Sequence, residues 1–210
     1  PGAQVDQQNQ SPSGLQLGTG VRVVGTQKVF TTGDISTTSN QLDLAISGQG
    51  FFQIALPSGE TVYTRDGEFQ LNSEGNIVNS AGLPLQPEIT VPANTTAVTI
   101  GTDGTISATV SGQTDAQELG QITLVSFINP TGLESVGGNL YKSSTASGDP
   151  VEGTAGEDAL GSIKQYALES SNVSVVEEMV DMISTQRAYE MNAKVVSASD
   201  EMLQYATQNM

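Results

Sequence analysis

The chain has 210 residues, enough for one moderate domain with appendages and tight for two. Seven Lys and Arg against 23 Asp and Glu give a formal charge of -16, a sign that repels phosphate backbones and anionic lipid surfaces, so nucleic acid is not an expected partner. Cys, His and Trp are absent, which removes disulfides, thiolate metal sites and the commonest general base near neutral pH; we expect neither an enzyme nor a bound cofactor or metal.

From Pro1 to Gly20 the sequence is rich in Gln, Ser, Gly and Pro and reads as an extended lead-in without a packed element. Period-two patterning then begins, with Val21 and Val23 on one side of Arg22, and Leu42, Leu44 and Ile46 alternating with Asp43, Ala45 and Ser47, the pattern of half-buried strands. Phe51, Phe52, Ile54 and Leu56 supply a concentrated core payload between Gly and Pro punctuation. Arg65-Asp66-Gly67 and Ser73-Glu74-Gly75-Asn76 are turn signals around a short strand at Glu68 to Leu71. Val98 and Ile100, Asp103-Gly104, and Ile106, Ala108 and Val110 spell a second hairpin. The nearly continuous apolar run from Gln121 to Asn129 predicts a strand covered on both faces. The pattern predicts a mainly β protein, a body of short strands in a meander or sandwich-like arrangement over 21–128. An irregular connector partly packed on that body follows over 129–173, where Gly and Pro break any period.

From Ser174 to Met210 there is neither Gly nor Pro, and helix formers dominate. Ser174-Val175-Val176-Glu177 fits a capping box. Counting by sevens from Val175 passes through Met182, Tyr189, Val196, Leu203 and Met210, with Met179 and Ala193 on a flanking row that Gln186 and Asp200 interrupt. A helix over 174–210 spans roughly 50 Å at about 1.5 Å per residue, more than the small β body can cover, so much of it must project. The chain offers no second helical segment to pair with it. We therefore expect an extended, coiled-coil-forming terminal helix. Its candidate polymerisation surface is Val175, Met179, Met182, Ile183, Gln186, Tyr189, Ala193, Val196 and Leu203, with polar Gln186 and Asp200 setting register.

Other motifs carry less. Gly18-Thr19-Gly20 and Gly48-Gln49-Gly50 do not complete a phosphate-binding glycine loop and precede no helix, so strand-edge turns explain them better. The lone Asp-Gly pairs are turns rather than calcium loops, and no context around Lys28, Lys142 or Lys164 favours Ser-Lys chemistry. With no Trp, little aromatic surface is left for stacking a sugar, although a secreted β adhesin or glycan-binding module is the alternative from another class. Asn94-Thr95-Thr96 and Asn172-Val173-Ser174 match the glycosylation acceptor pattern and are assigned no role. No run approaches the roughly 18 apolar residues of a membrane span, so direct insertion is not expected, and no secretory signal pattern is present.

The segment Ser171-Asn172-Val173, through Glu177-Glu178-Met179-Val180-Asp181-Met182-Ile183, to Gln186-Arg187-Ala188-Tyr189-Glu190-Met191-Asn192 resembles the C-terminal signature of flagellar rod and hook axial proteins. Gly48-Gln49-Gly50-Phe51-Phe52-Gln53, Tyr63-Thr64-Arg65-Asp66-Gly67-Glu68-Phe69 and the stretch Ser13 to Val21 agree with the same family, so the likeness covers essentially the whole chain. The resemblance implies a rod subunit of the basal body, with a proximal rod or hook subunit as the alternative within the family. It implies a helical homopolymer acting as a drive shaft, other rod subunits, the hook protein and the surrounding rings as partners, and export without a cleaved signal to a position in the periplasm and across the outer-membrane ring. The terminal helix at 174–210 would line the inner tube. Members carry an N-terminal helix with an Ala-Asn-Asn-Leu-Ala-Asn type stretch that does not occur between Pro1 and Met210, and the expectation is that this helix lies upstream and pairs with the terminal one.

Overall fold

Phe51 and Phe52 are consecutive residues that bury their rings on opposite sides of one strand, and the protein is organised around that division. The computed structural model describes residues 4–6, 9–10, 22, 25–112 and 116–208; of these, 4–6, 9–10, 203 and 206–208 are described by backbone alone. The described residues form short strands followed by one long helix, Val175–Gln208. The expected fold class, mainly β with a long C-terminal helix, is the one observed.

Phe52–Ala55 lies inside a five-stranded antiparallel sheet in the order Glu134–Gly137, Leu140–Lys142, Thr61–Thr64, Phe52–Ala55, Leu85–Gln86. Phe51 just precedes it and exchanges backbone hydrogen bonds with Val125, 2.9 and 3.0 Å, which ties this sheet to the strand Thr123–Ser126. On one side Phe52, Ile54 and Leu124 join the main cluster with Leu44, Ile46, Phe69, Ile106 and Ile163. On the other, Phe51 and Val125 join Tyr63, Phe127 and Leu133, with edge-to-face ring contacts at 5.8 Å between Phe51 and Phe127 and 4.8 Å between Tyr63 and Phe127. The apolar run around 121–129 is thus buried on both faces as expected, except at Ile128, which is exposed.

Both predicted hairpins form. Phe69–Leu71 pairs with Ile77–Asn79, and Thr95–Ile100 pairs with Thr105–Val110, which Gln117–Gln121 extends to three strands. The Asp103-Gly104 turn explains its residues. Gly104 has φ +87°, and a Cβ there would fall 2.5 Å from the carbonyl oxygen of Ile122. The Thr105 hydroxyl donates to Asp103 Oδ2 at 2.8 Å and the Thr105 N–H to Oδ1 at 3.2 Å, bonds that hold the Asp103 carboxyl below its ordinary range.

Several expectations are corrected. The strand Leu44–Ser47 is not half-buried: Leu42, Leu44 and Ile46 are buried, but so are Asp43 and Ala45 on the opposite side. Asp43 tolerates this because the Thr38 hydroxyl and the Asn40 amide donate to its two oxygens at 2.6 and 2.8 Å. The lead-in carries a short antiparallel pair, Gln4–Asp6 with Asn9–Gln10, formed by backbone bonding that side-chain polarity does not forbid. Val21 and Val23 lie outside the described residues. The stretch 129–173, expected to be irregular, contributes five strands, among them Val151–Thr154 against Thr123–Ser126, Ser162–Gln165 against Leu44–Ser47, and Ala167–Glu169 against Ile35–Thr37. Glycines such as Gly153 and Gly161 sit where a Cβ would strike Leu160 or the backbone of Ser47 and Gly48, so here they mark close packing rather than looseness.

Replacing Phe52 by Ala is expected to cost about 3–5 kcal/mol, because its fully buried ring fills the main cluster and the two-sided strand cannot collapse around the void; urea unfolding of the variant checks this. Burial, with Glu152 nearby, raises the Tyr63 hydroxyl above the ordinary tyrosine value. A raised folded value keeps its stabilisation intact below about pH 10 and loses it as pH rises through the folded value. Thermal unfolding between pH 9 and 11 is expected to show a fall in stability that Tyr63→Phe diminishes.

Candidate assembly surface on the terminal helix

The helix Val175–Gln208 begins where the sequence predicts. The Ser174 carbonyl accepts the first helical bond from Glu178 N–H at 3.1 Å, and its hydroxyl accepts from Glu177 N–H at a long 3.5 Å. The reciprocal bond that a full capping box requires, from the Ser174 N–H to the Glu177 carboxylate, is not formed. Glu177 and Glu178 in the first turn still complement the positive end of the helix dipole. Farther along, the hydroxyls of Thr185 and Ser199 donate to the carbonyls of Asp181 and Val195 at 2.8 and 2.9 Å, satisfying themselves within the helix.

Thirty-four residues at about 1.5 Å each make a rod of roughly 50 Å, and every side chain described on it is exposed. Of the candidate surface, Met179, Met182 and Val196 are 57%, 59% and 60% exposed, with Val175, Ile183, Gln186, Tyr189 and Ala193 exposed beside them. Leu203 lies on the helix with its side chain outside the description, and Met210 lies outside the described residues. At about 100° per residue, Val175, Met179, Met182, Gln186, Tyr189, Ala193 and Val196 share one side of the helix. Ile183 does not belong to the centre of that row. It falls toward a second set, Val176, Val180, Met191, Val195 and Met202, all exposed, on a side roughly 150° away. Counting by sevens from Val175 does not reach this second row, which starts at Val176 on another side of the helix and recurs at irregular gaps of 4, 11, 4 and 7 residues.

Among the described residues no group of three or more Asp and Glu is placed to hold a metal ion, and no helix is long and apolar enough to cross a membrane. A body of short strands continuing into a long helix with exposed apolar residues on two sides has the features of a structural subunit. Two family models match the sequence: the flagellar hook protein FlgE/F/G D1 domain over residues 45–108, and the flagellar basal body rod FlgEFG protein C-terminal region over residues 164–209. The flagellar basal-body rod protein FlgG of Buchnera aphidicola from Acyrthosiphon pisum is 52% identical over 94% of this chain and 76% of its own length. In Caulobacter vibrioides, FlgG is 44% identical over 94% of this chain and 75% of its own length, while FlgF is 36% identical over 89% and 72%.

The chain belongs to the flagellar basal-body rod protein family. It is a structural subunit of the distal rod of the bacterial flagellum, a member of a family that assembles with other flagellar axial components.

With so much of the helix in solvent, its amides are expected to exchange with deuterium far faster in the isolated chain than those of Phe52–Ala55 or Thr123–Ser126. Mass-spectrometric hydrogen exchange on the monomer checks this; equal protection of helix and core strands would contradict it.

Proposed function

We propose that this subunit polymerises helically into the drive shaft that transmits motor torque to the hook and filament, and that the terminal helix is the element that assembles. The observation carrying the proposal is the exposure of apolar residues on two sides of one helix. A single partner helix covers one seam, so two rows call for neighbours on both sides, as in a closed layer of helices. In such a layer Val175, Met179, Met182, Tyr189, Val196 and Leu203 pack one seam, Ile183 turns toward the next, and Gln186 and Asp200 set register. The partners are helices of adjacent copies together with an N-terminal helix of the kind the family carries.

Repetition of one heterologous contact generates an open helical tube rather than a closed ring, which suits an axial structure. The helices beyond residue 173 then line the tube, and the strands before it form an outer body. That body faces neighbouring subunits and the rings around the rod, where the rod crosses the periplasm and the outer-membrane ring. Other rod subunits and the hook protein contact its two ends. The subunit needs no cofactor and performs no catalysis in this role.

A Met182→Asp substitution places a charge in the first seam while touching nothing in the β body. Burying that unpaired charge in every copy of the interface is expected to abolish rod growth, with the thermal transition of the monomer unchanged. Electron microscopy of basal bodies alongside calorimetry of the purified chain decides the matter, and normal rods built from this variant would overturn the proposal.

A further inference from the structure

Arg65 follows the strand Thr61–Thr64 and is the most heavily engaged cation in the β body. Its Nε and Nη2 atoms donate to Glu169 Oε2 at 2.9 and 2.8 Å, Nη1 donates to the carbonyls of Gly48 and Gly50 at 3.1 and 3.2 Å, and Nη2 also reaches the carbonyl of Ile46 at 3.4 Å. Both side chains of the pair are largely buried, at 16% and 11% exposed. The other oxygen of Glu169 accepts the N–H of Gly33 at 2.9 Å. Glu169 ends the strand Ala167–Glu169, whose only remaining task before the helix at Val175 is to carry the chain out of the body.

Around this pair two segments of chain run together. Ala167–Glu169 is laddered to Ile35–Thr37, and the ladder continues as the N–H of Ser170 donates to the carbonyl of Asp34 at 2.8 Å. Gly33 lies so close that a Cβ would fall 1.9 Å from the carbonyl oxygen of Ser170. The Asn172 amide then donates to the carbonyls of Val29 and Thr31 and to the Thr31 hydroxyl, at 3.0 to 3.1 Å. Phe30 anchors the earlier segment on Phe51 and Tyr141, with ring centroids 5.7 and 5.2 Å away. A polar hub this costly to desolvate is not needed to hold a β body that already has two apolar clusters. It sits where the chain leaves for the helix.

We propose that Arg65 and Glu169, with Gly33, form a rigid joint that holds the paired segments 28–34 and 169–172 at one orientation on the β body, so that load on the terminal helix reaches the body without a hinge. Arg65 and Glu169 are positioning residues in this role: they act through the segment that leads into the helix. A planar guanidinium suits the task because its fixed fork engages one carboxylate and three carbonyls at once, a geometry that Lys cannot copy.

The chain has no cysteine, so with Ser80→Cys and Val173→Cys it takes one pair of spin labels, one on an exposed turn of the body and one between Asn172 and the helix. Pulsed electron–electron resonance is expected to give a single narrow distance distribution. Arg65→Ala is expected to broaden it at least twofold, with Gly33→Ala doing the same and Arg65→Lys giving an intermediate width. Should Arg65→Ala fail to fold, Glu169→Gln carries the test, since it keeps size and an acceptor for Gly33 while removing the charge. Ile54→Val, a destabilising change in the core away from the joint, is expected to leave the width unchanged. An unchanged width in the Arg65 and Glu169 variants, or equal broadening in Ile54→Val, would overturn the proposal. The measurement is made on the single chain, so its outcome is independent of whether the helix polymerises.

Discussion

The reciprocal backbone bonds between Phe51 and Val125 are the constraint on which the body depends. They join two strands that are buried on both faces, and by alternation they send Phe52 and Leu124 into one cluster and Phe51 and Val125 into another. The first cluster is the larger and is closed by the hairpins and by the return of Ser162–Gln165 onto Leu44–Ser47. The second is aromatic and reaches out to Phe30 and Tyr141. Through Phe30 it touches the segment that, together with 169–172, leads toward the terminal helix. A shift of one residue at Phe51 would exchange the contents of the clusters, so strand register and the base of the helix are linked.

The terminal helix follows the opposite rule. A 34-residue helix with each described side chain exposed gains nothing from packing on its own domain, and helices in water owe most of their stability to packing. Its apolar residues lie on two sides, and exposing that much apolar surface is unusual for a chain that acts alone. The fold therefore divides at about residue 174: before it the chain satisfies its own burial, and beyond it the described side chains are exposed, the surface that we propose neighbouring chains cover. The proposed assembly accounts for that division, because a subunit that packs through this helix withholds its apolar surface from its own core.

The candidate assembly surface was half legible. The row from Val175 through Met182, Tyr189 and Val196 stands out by sevens, and Ser174 marks its start. The second row through Val176, Val180 and Met191 emerges only when the residues are placed around the helix axis. Hairpins at Asp103-Gly104 and Ser73 to Asn76 were legible because their turn residues are local. The five strands within 134–169 were not, since their partners lie far away in sequence and their glycines look like breakers until the atoms they pack against are known.

By itself the sequence determined the elements that depend on neighbours along the chain: alternating apolar strands, turns that need Gly or Asp, a capped helix free of Gly and Pro, and the signature that places the protein among flagellar rod proteins. Only the tertiary structure decided which strand meets which, that Asp43 can be buried, and that Arg65 finds Glu169 across 104 residues of chain. The physical reason is range. Backbone propensity and hydrophobic period act over a few residues and leave a local trace, whereas a ladder, a buried ion pair or a glycine pressed against a carbonyl exists only once distant segments have met.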